Sequence, residues 1–153
     1  MAIIGIRASS QEIRYAILDK NENGEIVFVN QNTENRLKYP ANVDAVEDKL
    51  HWVKSEVDRI LRQNEGIEKI ILKMNEYAGT ENSSKRETTY VDAVLLLCAI
   101  ENGIQIERRL NSQISSTAAK AKELAERRVG RTENYWNNTI ADAILAAFWE
   151  MRK

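Results

Sequence analysis

Few side chains in this 153-residue sequence are placed to do chemistry, and the scarce ones are quickly sorted. His51 is the single histidine, set among charged neighbours in a helix-patterned stretch, and reads as a surface residue. No zinc site and no histidine-dependent triad can be assembled around one imidazole. Cys98 is the single cysteine, inside the apolar run 91–100, and reads as a core thiol without a disulfide partner. Asp142 is more informative. It is a carboxylate inside Ile140-Ala141-Asp142-Ala143-Ile144, where an acid either serves the first turn of a helix or faces a site. Arg7 is its opposite in charge, closing the short apolar run that begins at Ala2.

A second group is basic. Lys120, Lys122, Arg127, Arg128 and Arg131 fall within twelve residues whose only acids are Glu123 and Glu126, and Tyr135 and Trp136 follow closely. The formal net charge of −1 gives no global attraction to nucleic acid. Residues 104–153, however, carry nine basic and six acidic side chains, against thirteen and seventeen in the remainder, so a local basic ridge is expected there. Beside two aromatics such a ridge could track phosphates and stack a base. The same residues equally describe a solvated helix whose last-turn arginines complement its dipole. Lys85 and Arg86 could extend the patch, and no glycine-rich phosphate loop is present.

The elements that must position these groups follow from periodicity. Residues 2–9 form a short apolar run with Gly5 inside it, the expected centre of a sheet. Residues 12–18 alternate, 19–24 make a turn around Asn23-Gly24, and 25–30 are β-branched and aromatic, giving an antiparallel meander. After a polar loop closed by Tyr39-Pro40, a helix capped by Asn42 and ended by Gly66 carries an apolar stripe from Val43 to Ile60. Residues 67–74 form a fourth strand, reached by a right-handed crossover and so parallel to a neighbour. A polar loop over 75–87 leads into a helix that is apolar nearly all round and ends at Asn102-Gly103. A fifth strand over 104–110 follows, then a helix capped near Ser115-Ser116-Thr117 and ended by Gly130. A last helix is capped by Asn138 or Thr139, with its stripe at Ile140, Ile144, Ala147, Phe148 and Met151. The order βββαβαβαα describes one α/β domain over 1–153, a mixed five-stranded sheet with helices on both faces.

That order, with Gly5-Ile6-Arg7-Ala8-Ser9 near the start and Ala141-Asp142-Ala143-Ile144-Leu145-Ala146-Ala147 near the end, resembles the ribonuclease H-like superfamily, in particular its RuvC-like Holliday-junction resolvase branch. The resemblance implies a two-metal nuclease site. In that branch an Asp ending strand one, a Glu ending strand four, and acids or His on the last helix hold two Mg²⁺ about 4 Å apart. Carried onto this chain the set is incomplete. Arg7 stands where the Asp of Gly-x-Asp-x-Ser belongs, Glu76 corresponds to the strand-four Glu, Asp142 matches the last-helix Asp, and Asn138 and Thr139 occupy the preceding turn. A guanidinium at the bridging position opposes metal binding. The expectation is therefore a degenerate, non-catalytic member with no cofactor, in which Arg7 and Asp142 form an ion pair in place of the metals. Nucleic-acid contact falls to Lys120, Lys122, Arg127, Arg128, Arg131, Tyr135 and Trp136. The alternative is a Mg²⁺-dependent endonuclease cutting structured DNA or RNA–DNA hybrid, with Glu76 and Asp142 as catalytic metal ligands and Asp19 or Glu12 substituting from strand two.

Expected partners are DNA or RNA, or a protein. The apolar helix over 91–100 and the aromatics Trp52, Trp136 and Trp149 offer more apolar surface than one small core requires, and the resemblance implies a homodimer through helices. No stretch approaches the ~20 apolar residues of a membrane span. The N-terminus also lacks a basic then apolar leader, so the chain reads as cytoplasmic.

Overall fold

The computed structural model describes residues 1–77 and 79–153. Strands β1 (Ala2–Ala8), β2 (Glu12–Lys20), β3 (Ile26–Phe28) and β4 (Arg36–Lys38) are followed by α1 (Val46–Gln63) and β5 (Ile67–Lys73). Then come α2 (Ser83–Glu101), β6 (Gln105–Arg109), a 3₁₀ turn (Asn111–Ile114), α3 (Ala121–Val129) and α4 (Asn138–Met151). The sheet runs β3-β2-β1-β5-β6, with β4 also paired to β2. β1 is antiparallel to β2 and parallel to β5, and β5 is parallel to β6, as the crossover reading required.

The sheet has six strands rather than five. Residues 36–38 lie inside a stretch whose polarity suggested a loop, yet they pair with the first half of β2 while β3 pairs with its second half. Only Leu37 of the three is buried, too short a signal for periodicity to register. The helix ends also moved. α2 begins at Ser83 because Asn82 caps it through its side chain, accepting from the Lys85 N–H at 2.9 Å. Its polar first turn falls within the stretch 75–87 that polarity alone reads as a loop, and of that stretch Ala78 lies outside the described residues. α1 starts at Val46, not after Asn42, and stops at Gln63, where the Asn64 side chain donates to the Ile60 carbonyl at 2.8 Å. The Ser115–Thr117 caps are not used; Ser115 instead closes the 3₁₀ turn in a left-handed conformation, and α3 starts at Ala121. α4 is capped by Asn137, one residue earlier than expected, through an oxygen accepting from the Ile140 N–H.

Two cores flank the sheet. One face of β1, carrying Ile4, Ile6 and Ala8, packs under α1 and α2 with Val53, Val57, Leu95 and Cys98. Burial pushes the Cys98 thiol up to about 12, as befits an inert core residue. The other face, carrying Ile3, packs under α3 and α4 with Ile140, Ile144 and Phe148. Gly5 lies on this second face and sets its depth. A Cβ built there would sit 1.9 Å from the Ala143 carbonyl oxygen and 3.1 Å from the Ala147 Cβ, so α4 rests directly on the strand backbone. The small residues Ala143, Ala146 and Ala147, all buried, form the matching surface.

This contact predicts an unusual sign. Replacing a strand-interior glycine by alanine ordinarily helps by about 0.5–1 kcal/mol. Gly5→Ala is expected instead to cost about 1–3 kcal/mol, because the clash is with helix backbone. The shift in the urea midpoint measures it.

Candidate functional site

Strand register builds the site. Arg7 is directly opposite Arg14 on β2 and in register with Lys73 on β5. Arg14 is opposite Arg36 on β4, and Lys73 is in register with Arg109 on β6. Five cations therefore cross five adjacent strands in one row, on the face covered by α4. Like charges facing each other across strands are unfavourable, so each must be answered.

The answers come mainly from α4 and the loop ends. Arg7 Nε lies 3.5 Å from Asp142 Oδ2, the ion pair expected from the sequence, with both side chains largely buried. Its remaining donors reach the Lys73 carbonyl at 3.2 Å and the Asn75 side-chain oxygen at 2.8 Å. Lys73 is only 2% exposed and donates to the Met74 carbonyl. Arg14 is fully buried; it donates to the Tyr135 carbonyl and to both the backbone and side-chain oxygens of Asn35. Glu12 takes Arg36 at 2.9 Å and Arg14 at 3.8 Å. Arg109 pairs with Glu150 at 3.1 Å and with Glu107. Burial would push the Glu150 carboxyl up, but hydrogen bonds from Lys69, Lys153 and Arg109 hold it at about 2.

Titration follows the same logic. Burial raises the Asp142 carboxyl above its ordinary range, against the pull of Lys73 and Arg7 and reinforced by Glu76. Burial lowers the Lys73 ammonium, and Arg7 adds to the effect. Asp92, from α2, was not anticipated. Its Oδ1 is buried without a hydrogen-bond partner among the described residues, and burial pushes the carboxyl up to about 7 although Arg7 and Lys73 pull it down. Its sequence signal is an acid within an apolar helix, the pattern that Asp142 also shows.

The structure distributes the other candidates. Glu76 is exposed and accepts from the Asn111 N–H at 3.2 Å; the residue in register with Arg7 is Lys73, so the strand end next to Arg7 carries a cation where a carboxylate was sought. Asn138 is bonded to the Ala118 carbonyl. Asp19 lies at the far end of β2, paired with the N-terminal ammonium, and Glu12 is spent on Arg36 and Arg14, so neither replaces a missing ligand. A two-metal site does not fit this donor set. The carboxylates meet a guanidinium and an ammonium, and among the described residues no cluster of three or more His, Cys, Asp or Glu could hold an ion. His51 is exposed on α1.

Lys120, Lys122 and Arg127 are exposed around α3, and no acid among the described residues pairs with them. Arg128 lies over Phe148 and Trp149, and Arg131 over Trp136 at 5.7 Å. Trp136 packs half-buried on the core, leaving Tyr135 as the open aromatic of the pair. Trp52 and Trp149 are likewise partly buried, so the surplus apolar surface is not theirs; it lies on α2. No described helix is long and apolar enough to cross a membrane.

Comparison with solved structures identifies the fold. Thermus thermophilus RuvC in complex with a Holliday junction substrate matches with a TM-score of 0.77 at 14% identity, over 97% of this chain and 92% of that one. The yeast mitochondrial Holliday junction resolvase matches at 0.69 and 13%, over 98% and 77%. The fowlpox virus resolvase with Holliday junction DNA matches at 0.63 and 11%, over 99% and 97%. No family model and no curated protein matches the sequence. The chain has the ribonuclease H-like fold of the RuvC-type resolvases.

The Asp92 environment yields a prediction. A carboxyl raised in the folded state contributes stability below its unfolded value near 4 and loses it as pH climbs towards 7. The titratable groups that act on it are Arg7, Lys73 and Tyr39, and Lys73 in turn feels Asp142 and Glu76. Asp92→Asn should remove a decline of up to about 1.4 kcal/mol per pH unit between pH 4 and 7, measured by urea unfolding. The Asp92 carboxyl ¹³C signal should titrate near pH 7.

Proposed function

We propose that this chain is a ribonuclease H-fold domain that binds nucleic acid, branched DNA foremost, without cutting it. The row Arg36–Arg14–Arg7–Lys73–Arg109 carries this reading. Two-metal hydrolysis needs carboxylates bridging the ions, and here fixed cations stand at the strand ends that would supply them. No cofactor is required. Binding is supported by Lys120, Lys122 and Arg127 around α3, exposed and without an acidic partner among the described residues, and by the exposed Tyr135. Two of the structural neighbours are complexes with Holliday junction DNA.

The rival is a Mg²⁺-dependent endonuclease working through Glu76 and Asp142. Calorimetric titration with Mg²⁺ and Mn²⁺ should give no binding heat, and branched DNA, duplex and RNA–DNA hybrid should survive both metals. Metal-dependent cleavage that Asp142→Asn abolishes would establish the rival. For the binding itself, replacing Lys120, Lys122 and Arg127 together by Gln should lower the slope of log K against log salt by about 2–3. An unchanged slope would remove these residues from the interface.

A second copy of the chain fits the exposed face of α2. Tyr90, Ala93, Leu97 and Ile100 form one stripe, Leu97 being 55% and Ile100 75% exposed. Antiparallel pairing about the middle of that stripe sets Tyr90 against Ile100 of the other copy, a self-complementary arrangement. Light scattering should give a dimer that Leu97→Glu converts to monomer; a monomeric wild-type chain refutes the pairing.

A further inference from the structure

A cavity of about 210 Å³ opens between residues 31–36 and 132–135, on the α4 side of the sheet edge. It is smaller than the roughly 300–1,000 Å³ of sites for drug-sized ligands, so it suits one small group. Its construction is unusual. Tyr135 is one of two described non-glycine residues with positive φ, at 55°. Such a conformation is costly for an aromatic residue and persists only where its surroundings impose it. The imposition comes from Arg14, whose fully buried guanidinium donates to the Tyr135 carbonyl and to Asn35, tying the two walls of the cavity together. Gln31 adds a second tie, donating to the Arg131 carbonyl at 2.7 Å.

The result is a fixed ring. Arg36 lies over the Tyr135 ring at 4.0 Å, yet the residue remains 62% exposed. Asn32 and Asn134 line the same cavity, and their side-chain amides make no hydrogen bond among the described residues. Each can both donate and accept, which is what the polar edge of a heterocyclic base needs. The charges favour a neutral guest over a phosphate. Glu34 is held by Arg59 and Tyr15, Arg36 by Glu12, and Glu133 adds an anion to the lining. Phosphate contact is left to Arg131 and the α3 cations outside the cavity.

We propose that this cavity captures one unpaired nucleobase of a bound nucleic acid, stacked on Tyr135 and read by Asn32 and Asn134. The inference rests on the nucleic-acid-binding reading above and adds to it a single-base subsite, away from the Arg7–Asp142 ion pair.

The test uses branched DNA with 2-aminopurine at an unpaired position, and the same DNA with the probe inside a paired arm. Wild-type protein should quench the unpaired probe and leave the paired one unchanged. Tyr135→Gly removes the ring and relieves the left-handed backbone, so its melting temperature should equal or exceed that of wild type. Its affinity for DNA with the unpaired nucleotide should fall about 5- to 150-fold, the equivalent of 1–3 kcal/mol of base–aromatic stacking. Tyr135→Phe should keep both affinity and quenching. Asn134→Leu, which leaves the backbone contacts in place, should weaken the same complex and serves if Tyr135→Gly does not fold. DNA bound by wild type with no quenching, or bound equally by Tyr135→Gly and Asn134→Leu, overturns the subsite and leaves the binding reading intact. Failure of wild type to bind any of these DNAs overturns both.

Discussion

Helix α4 reaches the floor of the sheet because Gly5 has no side chain, and the charge arrangement depends on that contact. Ala143 lies on Gly5 with no room for a methyl group between them. Asp142 precedes Ala143, and Arg7 stands two residues beyond Gly5 on the same face of the strand, so seating the helix also seats the ion pair. The glycine in this motif serves close packing. No phosphate loop is built around it, and the alanines of α4 are small for the same reason.

The row of cations is the second constraint. Five basic side chains in register would repel one another and destabilise the sheet if left to solvent. Here they are distributed among Asp142, Glu12, Glu107, Glu150 and a set of strand-end carbonyls. Lys73 and Arg14 are buried at the cost of desolvation, which lowers the pKa of each. Such a network is costly to break and tolerates little rearrangement, because removing one partner leaves a buried charge unanswered. It makes this end of the sheet a self-neutralised scaffold.

Much of the fold was legible in the residues themselves. Alternation in β2, the β-branched run of β3 and the three-and-four spacing of α1 reflect how a strand or helix buries one face, a property each segment carries alone. The Arg7–Asp142 pair was also within reach, since a guanidinium ending a central strand and a carboxylate in an apolar helix each need a partner. Other features were not. Residues 36–38 are too few to show a period, and the helix caps turned on which Asn side chain the local backbone presents: Asn82 and Asn137 cap, while Asn42 and Asn138 do not.

By itself, then, the sequence determined the mixed α/β class and the apolar faces of its strands and helices, because hydrophobic period and residue type are local. Tertiary structure decided which distant residues meet. Parallel pairing of β1 with β5 put Lys73, and not Glu76, beside Arg7; the packing of α2 brought Asp92 within range; the buried Arg14 joined Asn35 to Tyr135 across the cavity. None of these follows from spacing along the chain. Strand register and helix seating are set by how whole faces fit together, and a slip of one residue in a strand would turn that strand's side chains to the other side of the sheet.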